Sequence, residues 1–349
     1  ATLGDADSTQ LIHLYQRRGR VLELMLRHDE ALDTYKALEA LGETRDDDEL
    51  RLAGLAAQGI SYTIGKFDLE NSRLYTNKAL SMARELGDRF VEARALWSLL
   101  LSLSYFDGPQ ALEYGEQALA IARELVASPQ SSPEHLDLLA LILMDLVVPL
   151  VGAGQVGTAE EYATEAREIF EEMGNLPMAS TAAQRQGVAY KAEGRFEEAL
   201  EVYDWSTEID LSIGNDGGLV GSSLGLFDIY QFMGDLSAVN ARMEMFLPII
   251  VREERIPLPV SELQPFVTYF QLGLLEKALD SAGDIWQFKE SQAAIWPDMA
   301  ILWPYRKMQG NVGVVAFPIS EGGAPSTPGW VTGVAMSAGT TQPEVAWRW

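Results

Sequence analysis

The sequence contains no cysteine and only three histidines among its 349 residues. Without thiols there is no disulfide framework, no thiolate zinc cluster and no cysteine nucleophile. His13, His28 and His135 stand far apart, with no HExxH pair and no nucleophile motif nearby. Neither a metal site nor a catalytic histidine is expected from them. Positive charge is also scarce: 26 Lys+Arg face 51 Asp+Glu, a formal net charge of -25. That balance repels phosphate backbones and anionic lipid, so the region is expected to take no nucleic acid and no membrane surface as partner. Long hydrophobic runs are missing too. None approaches the roughly 18 residues that a membrane span needs, and no charged-then-apolar leader precedes the first helical pattern.

What remains is a chain of 47% hydrophobic and 22% charged residues, long enough to bury a sizeable core in two or three domains. Its composition breaks near residue 288. Residues 288–349 hold four Lys+Arg and four Asp+Glu, so the whole net negative charge lies before them. They also hold five of the eight Trp, six of the 15 Pro and seven of the 30 Gly, a density of breakers that continuous helix does not tolerate. A domain boundary is expected between Trp286 and Glu290, giving units 1–287 and 288–349.

The first unit repeats with a period near 40. Gly154, Gly194 and Gly234 are spaced by 40, as are Ala159 and Ala199, and Gly174-Asn175 recurs as Gly214-Asn215. From Gly194 the chain gives a turn, an amphipathic helix with Phe196, Ala199, Leu200 and Tyr203 at helical spacing, and a Gly-Asn stop. Each repeat therefore reads as two antiparallel helices. Gly187 is followed by Tyr190, Ala199 and Tyr203 at offsets of 3, 12 and 16, and parts of this pattern recur at Gly19, Ala31 and Tyr35, at Gly59, Tyr62 and Tyr75, at Tyr230, and at Tyr269 with Ala278. These offsets resemble the tetratricopeptide consensus. The physical requirement is packing, since a small residue lets two helices approach and an aromatic fills the hole toward the next repeat.

Seven pairs follow, with first helices near 10–26, 48–64, 89–105, 134–152, 176–193, 217–233 and 260–272. Their partners run near 29–42, 69–87, 109–126, 156–173, 196–213, 236–253 and 275–287. The expected fold is mainly α, a tetratricopeptide-like helix-turn-helix solenoid of about seven pairs followed by a short α/β fragment. The longer period is similar to the repeat regions of large bacterial ATP-dependent regulators of the maltose-activator type and of ATPase-cyclase fusions. HEAT and armadillo repeats share that length and stand second. The resemblance implies a cytoplasmic, non-enzymatic scaffold or sensor arm without a cofactor, whose ATPase or cyclase unit lies elsewhere.

One nucleotide-like motif is present, Gly152-Ala153-Gly154-Gln155-Val156-Gly157, a match to GxGxxG after the apolar run LVVPLV. Against it, Gly154 is in register with Gly194 and Gly234, Pro149 weakens a central strand, and no second strand ending in an acid follows. The motif therefore reads as an inter-helix turn. Asp46-Asp47-Asp48-Glu49 lacks the Gly and later Glu of a calcium loop and suits the start of a helix. Glu160-Glu161 and Glu197-Glu198 read as solvated faces.

In a stacked solenoid the first helices line the concave side, where such proteins bind partner segments. Counting from the Gly187 position, the groove residues are His13, Gln16 and Arg20 early, Leu96, Leu100, Met144, Val148 and Val151 in the middle, and Gln184, Lys191, Asp228 and Gln231 late. The apolar middle is equally suited to inter-repeat core, and the expected partner is a protein or peptide segment.

Residues 291–349 carry VGVVAFP at Val312–Pro318, GWVTGVAMSAGT at Gly329–Thr340 and PEVAWRW at Pro343–Trp349. This order resembles the C-terminal portion of family 1 extracellular solute-binding proteins of ABC importers, with Ala316 where that segment often has Pro. The resemblance implies strands near Val312–Phe317 and Trp330–Ser337, an extracytoplasmic location and, as the alternative function, sugar binding. Trp330 is then either a sugar-stacking ring or a local packing residue. The chain opens with Ala1, joins the two materials without a polar linker and stops at Trp349, as expected of a fragment or a fused reading frame.

Overall fold

In the computed structural model, which describes residues 7–25, 27–66, 68–104, 106–233, 235, 237–238 and 241–242, every regular element is helical. The helices are α1 (Ser8–Leu24), α2 (His28–Arg45), α3 (Asp48–Ser61), α4 (Leu69–Leu86), α5 (Arg89–Leu103) and α6 (Gly108–Ala127), then α7 (Pro133–Gly152), α8 (Val156–Glu172), α9 (Leu176–Glu193), α10 (Phe196–Ile213) and α11 (Asp216–Met233). A π-helical turn, Tyr62–Lys66, continues α3. The chain divides into compact units 1–256 and 257–349, and all described residues belong to the first. Five helix pairs and the first helix of a sixth stand within a few residues of the expected ranges. The second helix of the sixth pair, the seventh pair, the boundary near 288, the expected strands and Trp330 lie outside the described residues.

Polar side chains fix where these helices begin. Asp7, Asp47, Asp68, Asp88, Asp107 and Asn175 each accept a hydrogen bond from a first-turn backbone N–H. Each such cap satisfies an orphan donor, and the acids also meet the positive end of the helix dipole. The Asp46–Glu49 run is therefore the junction between α2 and α3: Asp47 is the cap, and Asp46 takes the left-handed conformation that ends α2. His135 similarly accepts from the Ser132 backbone N–H at 3.3 Å, tying down the start of α7.

The 40-residue register of glycines has a backbone cause. Gly154 and Gly194 both have φ of 79°, and Gly174 and Gly214 have φ of 69° and 68°. A side chain in that left-handed region costs about 1–2 kcal/mol, so helix ends recurring every 40 residues call for glycine there. The same observation accounts for the nucleotide-like motif. Gly152 is the last residue of α7, Gly154 makes the turn and Gly157 lies in α8, so a helix stands where the dinucleotide fingerprint needs a strand.

Within and between pairs, close approach depends on small residues facing large ones. A β-carbon on Gly187 would lie 2.4 Å from Tyr203 Cε2, and one on Gly225 would lie 2.2 Å from Tyr203 Cζ. Tyr203 of α10 thus fills the gap between α9 and α11. Gly19 and Tyr35 repeat this contact in the first pair, and Tyr62 stacks on Tyr75 at 5.4 Å in the second. In the third pair the roles reverse: Gly115 of α6 is the small residue, facing Leu146 Cδ2 and Leu100 Cδ2.

The core is thickest around α5 and α7, where Leu96, Leu99, Leu100, Ile142, Leu143 and Leu146 have almost no accessible surface. Each such side chain contributes about 1.5–3 kcal/mol by leaving water. By length and composition α7 alone among the described residues is apolar enough to cross a membrane, with mean hydropathy 2.0 in a window of which 67% is buried. That corrects the expectation of no run near span length, and its burial identifies α7 as the central core helix. Successive helices pack throughout, and each first helix also packs on the next first helix, α1 on α3 through to α9 on α11. Second helices of neighbouring pairs make at most marginal contact. The second helices therefore fan apart, leaving the first helices on the shorter side of the stack.

Candidate functional site

Polar and charged side chains bridge the first helix of one pair to the first helix of the next, and two of them, Trp97 and Asp145, are buried. Trp97 of α5 donates its Nε1–H to Asp145 Oδ2 of α7 at 2.8 Å. Asp145 Oδ1 in turn lies 3.9 Å from Arg185 Nη2 of α9. Further along, Lys191 Nζ of α9 pairs with Asp228 Oδ2 of α11 at 2.7 Å. Three rungs thus run from α5 to α11. Burial pushes the Asp145 carboxyl pKa up, opposed by the Arg185 charge and the Trp97 hydrogen bond.

A second set of charged groups lies on α1, α2, α5 and α7. Arg94 sits in the second turn of α5, and burial lowers its pKa against the pull of Tyr35, Glu23, Glu134 and Asp137. Asp137, in the second turn of α7, is half-buried, and burial raises its pKa against the attraction of Arg94 and then Arg20. Tyr35 donates to Glu23 Oε1 at 3.1 Å, and burial followed by the Glu23 charge pushes its hydroxyl pKa upward. Glu23 of α1 is thus in contact with both Tyr35 of α2 and Arg20.

The expected groove residues divide into two sets. His13 and Arg20 are exposed on α1, Gln16 and Val148 are half-buried, and Arg20 approaches Glu23 at 3.4 Å. Gln184 is half-buried and donates to Ser206 Oγ at 2.9 Å and to the Gly218 carbonyl at 3.0 Å, so its amide joins α9 to α10 and α11. Lys191 and Asp228 form the rung described above. Leu96 and Leu100, at 0% exposure, and Met144, at 5%, are core residues and present no surface to a groove; Val151 is buried with them. The reason is register. Asp88 and Asn175 both cap their helices, and Leu100 and Gly187 each lie twelve residues on. Leu100 thus occupies the helix-crossing position. Gln231 lies in α11 with its side chain outside the described residues.

Counting offsets from Gly187 missed Arg94, Trp97, Asp137, Asp145 and Arg185. The signal was a charge inside an apolar stretch, as in Ala140-Leu141-Ile142-Leu143-Met144-Asp145-Leu146, because a buried charge persists only where a partner offsets its desolvation. A depression of about 520 Å³ on α8, lined by Gly157, Glu160, Glu161, Thr164, Glu165 and Glu168, is a solvated acidic face. Its Glu160 and Glu165 are each held at 2.7 Å by Arg195 and Arg123.

No protein-family model matches the chain, and no curated protein matches it. Several solved structures are similar in fold. A Rap protein complexed with Competence and Sporulation Factor aligns with TM-score 0.57 and 18% identity, over 82% of this chain and 77% of that one. The apo form of RapI gives 0.55 and 15%, over 77% and 94%. BtubC from P. vanneervenii gives 0.50 and 18%, over 66% and 94%. At such identities the likeness is one of fold. Together with the stacked pairs it defines the class: the described chain is a tetratricopeptide-like helical solenoid.

Proposed function

We propose that this chain is a non-enzymatic scaffold or sensor arm that holds an extended protein segment along the free side of its first helices. The observation that carries the reading is the partly exposed ion pair Lys191–Asp228, which crosses from first helix α9 to first helix α11, with Arg185 of α9 also partly exposed. Polar groups on successive first helices suit an extended backbone, whose amides repeat along its length. The similar Rap protein was solved in complex with Competence and Sporulation Factor, which favours a binding role for this fold. In its finer form the reading makes the chain the sensing portion of a larger cytoplasmic ATPase that regulates signalling or transcription.

Selection of a displayed random-peptide library on the immobilised full chain tests the proposal. Enriched peptides should lose affinity on Val148→Lys and on Lys191→Ala, both on first helices, and keep it on Glu116→Lys, on the exposed face of α6. Loss of the Lys191 pair alone costs folding only about 0–1 kcal/mol, so that variant remains folded. Failure to enrich any peptide, or enriched peptides indifferent to both first-helix substitutions, would refute the reading.

A further inference from the structure

The outward face of α1 departs from a rule that the other first helices keep. Counted from the caps Asp47, Asp88, Ser132, Asn175 and Asn215, the residues seven, eleven and fourteen positions on are buried in α3, α5, α7, α9 and α11 alike. In α3 and α9 the second helix of the preceding pair covers this face. A β-carbon on Gly54, the seventh position in α3, would lie 2.6 Å from the Glu39 backbone nitrogen of α2, and at the eleventh position Gln58 donates to Glu39 Oε2 at 2.6 Å. The eleventh residue in α9, Gln186, likewise donates to Thr164 Oγ1 of α8 at 2.7 Å. Counted from Asp7, the same three positions in α1 are Leu14, Arg18 and Val21, and all three are exposed.

Leu14, Val21 and Met25 are 53%, 54% and 54% exposed and fall at helical spacing, so they form one apolar stripe along this face. The end of a helical stack stays soluble by turning polar groups outward, and an exposed apolar stripe there calls for a cover. Charge selects that cover. Arg17 and Arg18 are exposed on the two sides of the stripe, and α1 carries three arginines against one acid, Glu23, in a chain of net charge -25. Arg18 holds the position from which Gln58 of α3 reaches a carboxylate of its covering helix. We propose that the outward face of α1 docks an acidic amphipathic helix of a partner protein, with its apolar side on Leu14, Val21 and Met25 and an Asp or Glu paired with Arg18. A second copy of this chain fits less well, because two α1 faces laid together oppose arginine to arginine. The proposal does not rest on the segment-binding reading.

Selection of a displayed library of single-helix peptides on the immobilised full chain provides the test. Enriched helices should carry an apolar stripe flanked by Asp or Glu, and their binding, once resynthesised, should weaken about tenfold or more on Val21→Asp and on Arg18→Glu. Changing the shared acid to Lys should restore binding to Arg18→Glu while weakening it to the natural chain. Val21 and Arg18 are exposed, so both variants should keep the thermal melt of the natural chain. Lys191→Ala should leave helix binding unchanged, so that failure of this site and failure of the segment-binding side are read separately. Enriched helices that carry no acid, or that bind both α1 variants as well as the natural chain, overturn the proposal, and so does a library that enriches nothing. Sedimentation velocity addresses the remaining occupant: self-association of the natural chain that Val21→Asp abolishes would overturn the proposal by assigning the face to a second copy.

Discussion

Replacing Gly187 by Ala sets two opposed effects against each other at the crossing of α9 and α10. In an exposed helix interior the change stabilises by about 1 kcal/mol, because Gly loses more backbone freedom on folding. Here the new methyl would lie 2.4 Å from Tyr203 Cε2, and the ring has nowhere to go because Gly225 already meets it from the other side. Tyr203 is 2% exposed, and overpacking a filled site of this kind costs about 1–3 kcal/mol. The net expectation for Gly187→Ala is a destabilisation between about zero and 2 kcal/mol. Tyr203→Ala alone should cost about 3–5 kcal/mol, since two glycines line the hole and offer no side chains to collapse into it. In that background Gly187→Ala has free space and should stabilise by about 1 kcal/mol. The double-mutant cycle should therefore give a coupling of about 1–3 kcal/mol. Urea unfolding followed by far-ultraviolet circular dichroism measures all four corners, with unchanged denaturant slopes as the check on the unfolded states. If Gly187→Ala stabilises both backgrounds by the same amount, the ring does not fill the crossing and the packing argument fails.

Three further outcomes follow from buried or capping groups. Burial raises the Asp145 pKa, so its favourable contribution is present below the unfolded value of about 3.9 and is lost as pH rises through the higher folded value. Asp145→Asn keeps an acceptor for Trp97 and should match or exceed the natural chain in stability at neutral pH; melts in which the natural chain gains on the variant as pH rises contradict this. The Asp47 pKa is lowered, chiefly by the Ser8 hydroxyl and also by the Leu50 and Glu49 backbone N–H groups, so its stabilisation is present above the unfolded value and is lost as pH falls through the folded one. Asp47→Ala should cost about 1 kcal/mol near neutrality, and the difference should vanish in acid; a cost unchanged at low pH argues against a cap. Gly154→Ala should destabilise by about 1–2 kcal/mol through its positive φ, with no saturable NAD binding by the natural chain to disturb, and nucleotide binding lost with Gly154 defeats the turn assignment.

The sequence displayed its helices more plainly than the rotation of each helix about its axis. Gly154, Gly194, Gly174 and Gly214 mark helix ends because the backbone turns left-handed there, and a local requirement of that kind is written in one residue. Asp88 and Asp107 are equally legible, since a cap acts on the first turn beside it. The free side of the stack is set by the rotation of each first helix about its own axis, which depends on where its neighbours cross. Counting from Gly187 carried one rotation into α5 and α7, and it assigned Leu96, Leu100 and Met144 to a surface that they do not reach. Lys191 and Asp228, close to the reference in α9 and α11, pair with one another at 2.7 Å. Trp97 and Asp145 were visible only as polar groups in apolar helices, and nothing in their spacing announces that they meet across α5 and α7.

Packing limited to adjacent pairs also has a kinetic and mechanical meaning. A stack of this kind behaves like a chain of coupled springs, in which the stability of each hairpin is its own plus that of two interfaces, and disorder enters from the ends. Amide exchange should be slowest in α7, which has neighbours on both sides and the thickest core, and should quicken toward α1. A segment lying across several first helices would tie together hairpins that otherwise sense only the next in line. Its binding would then be felt as slower exchange in pairs that it never touches.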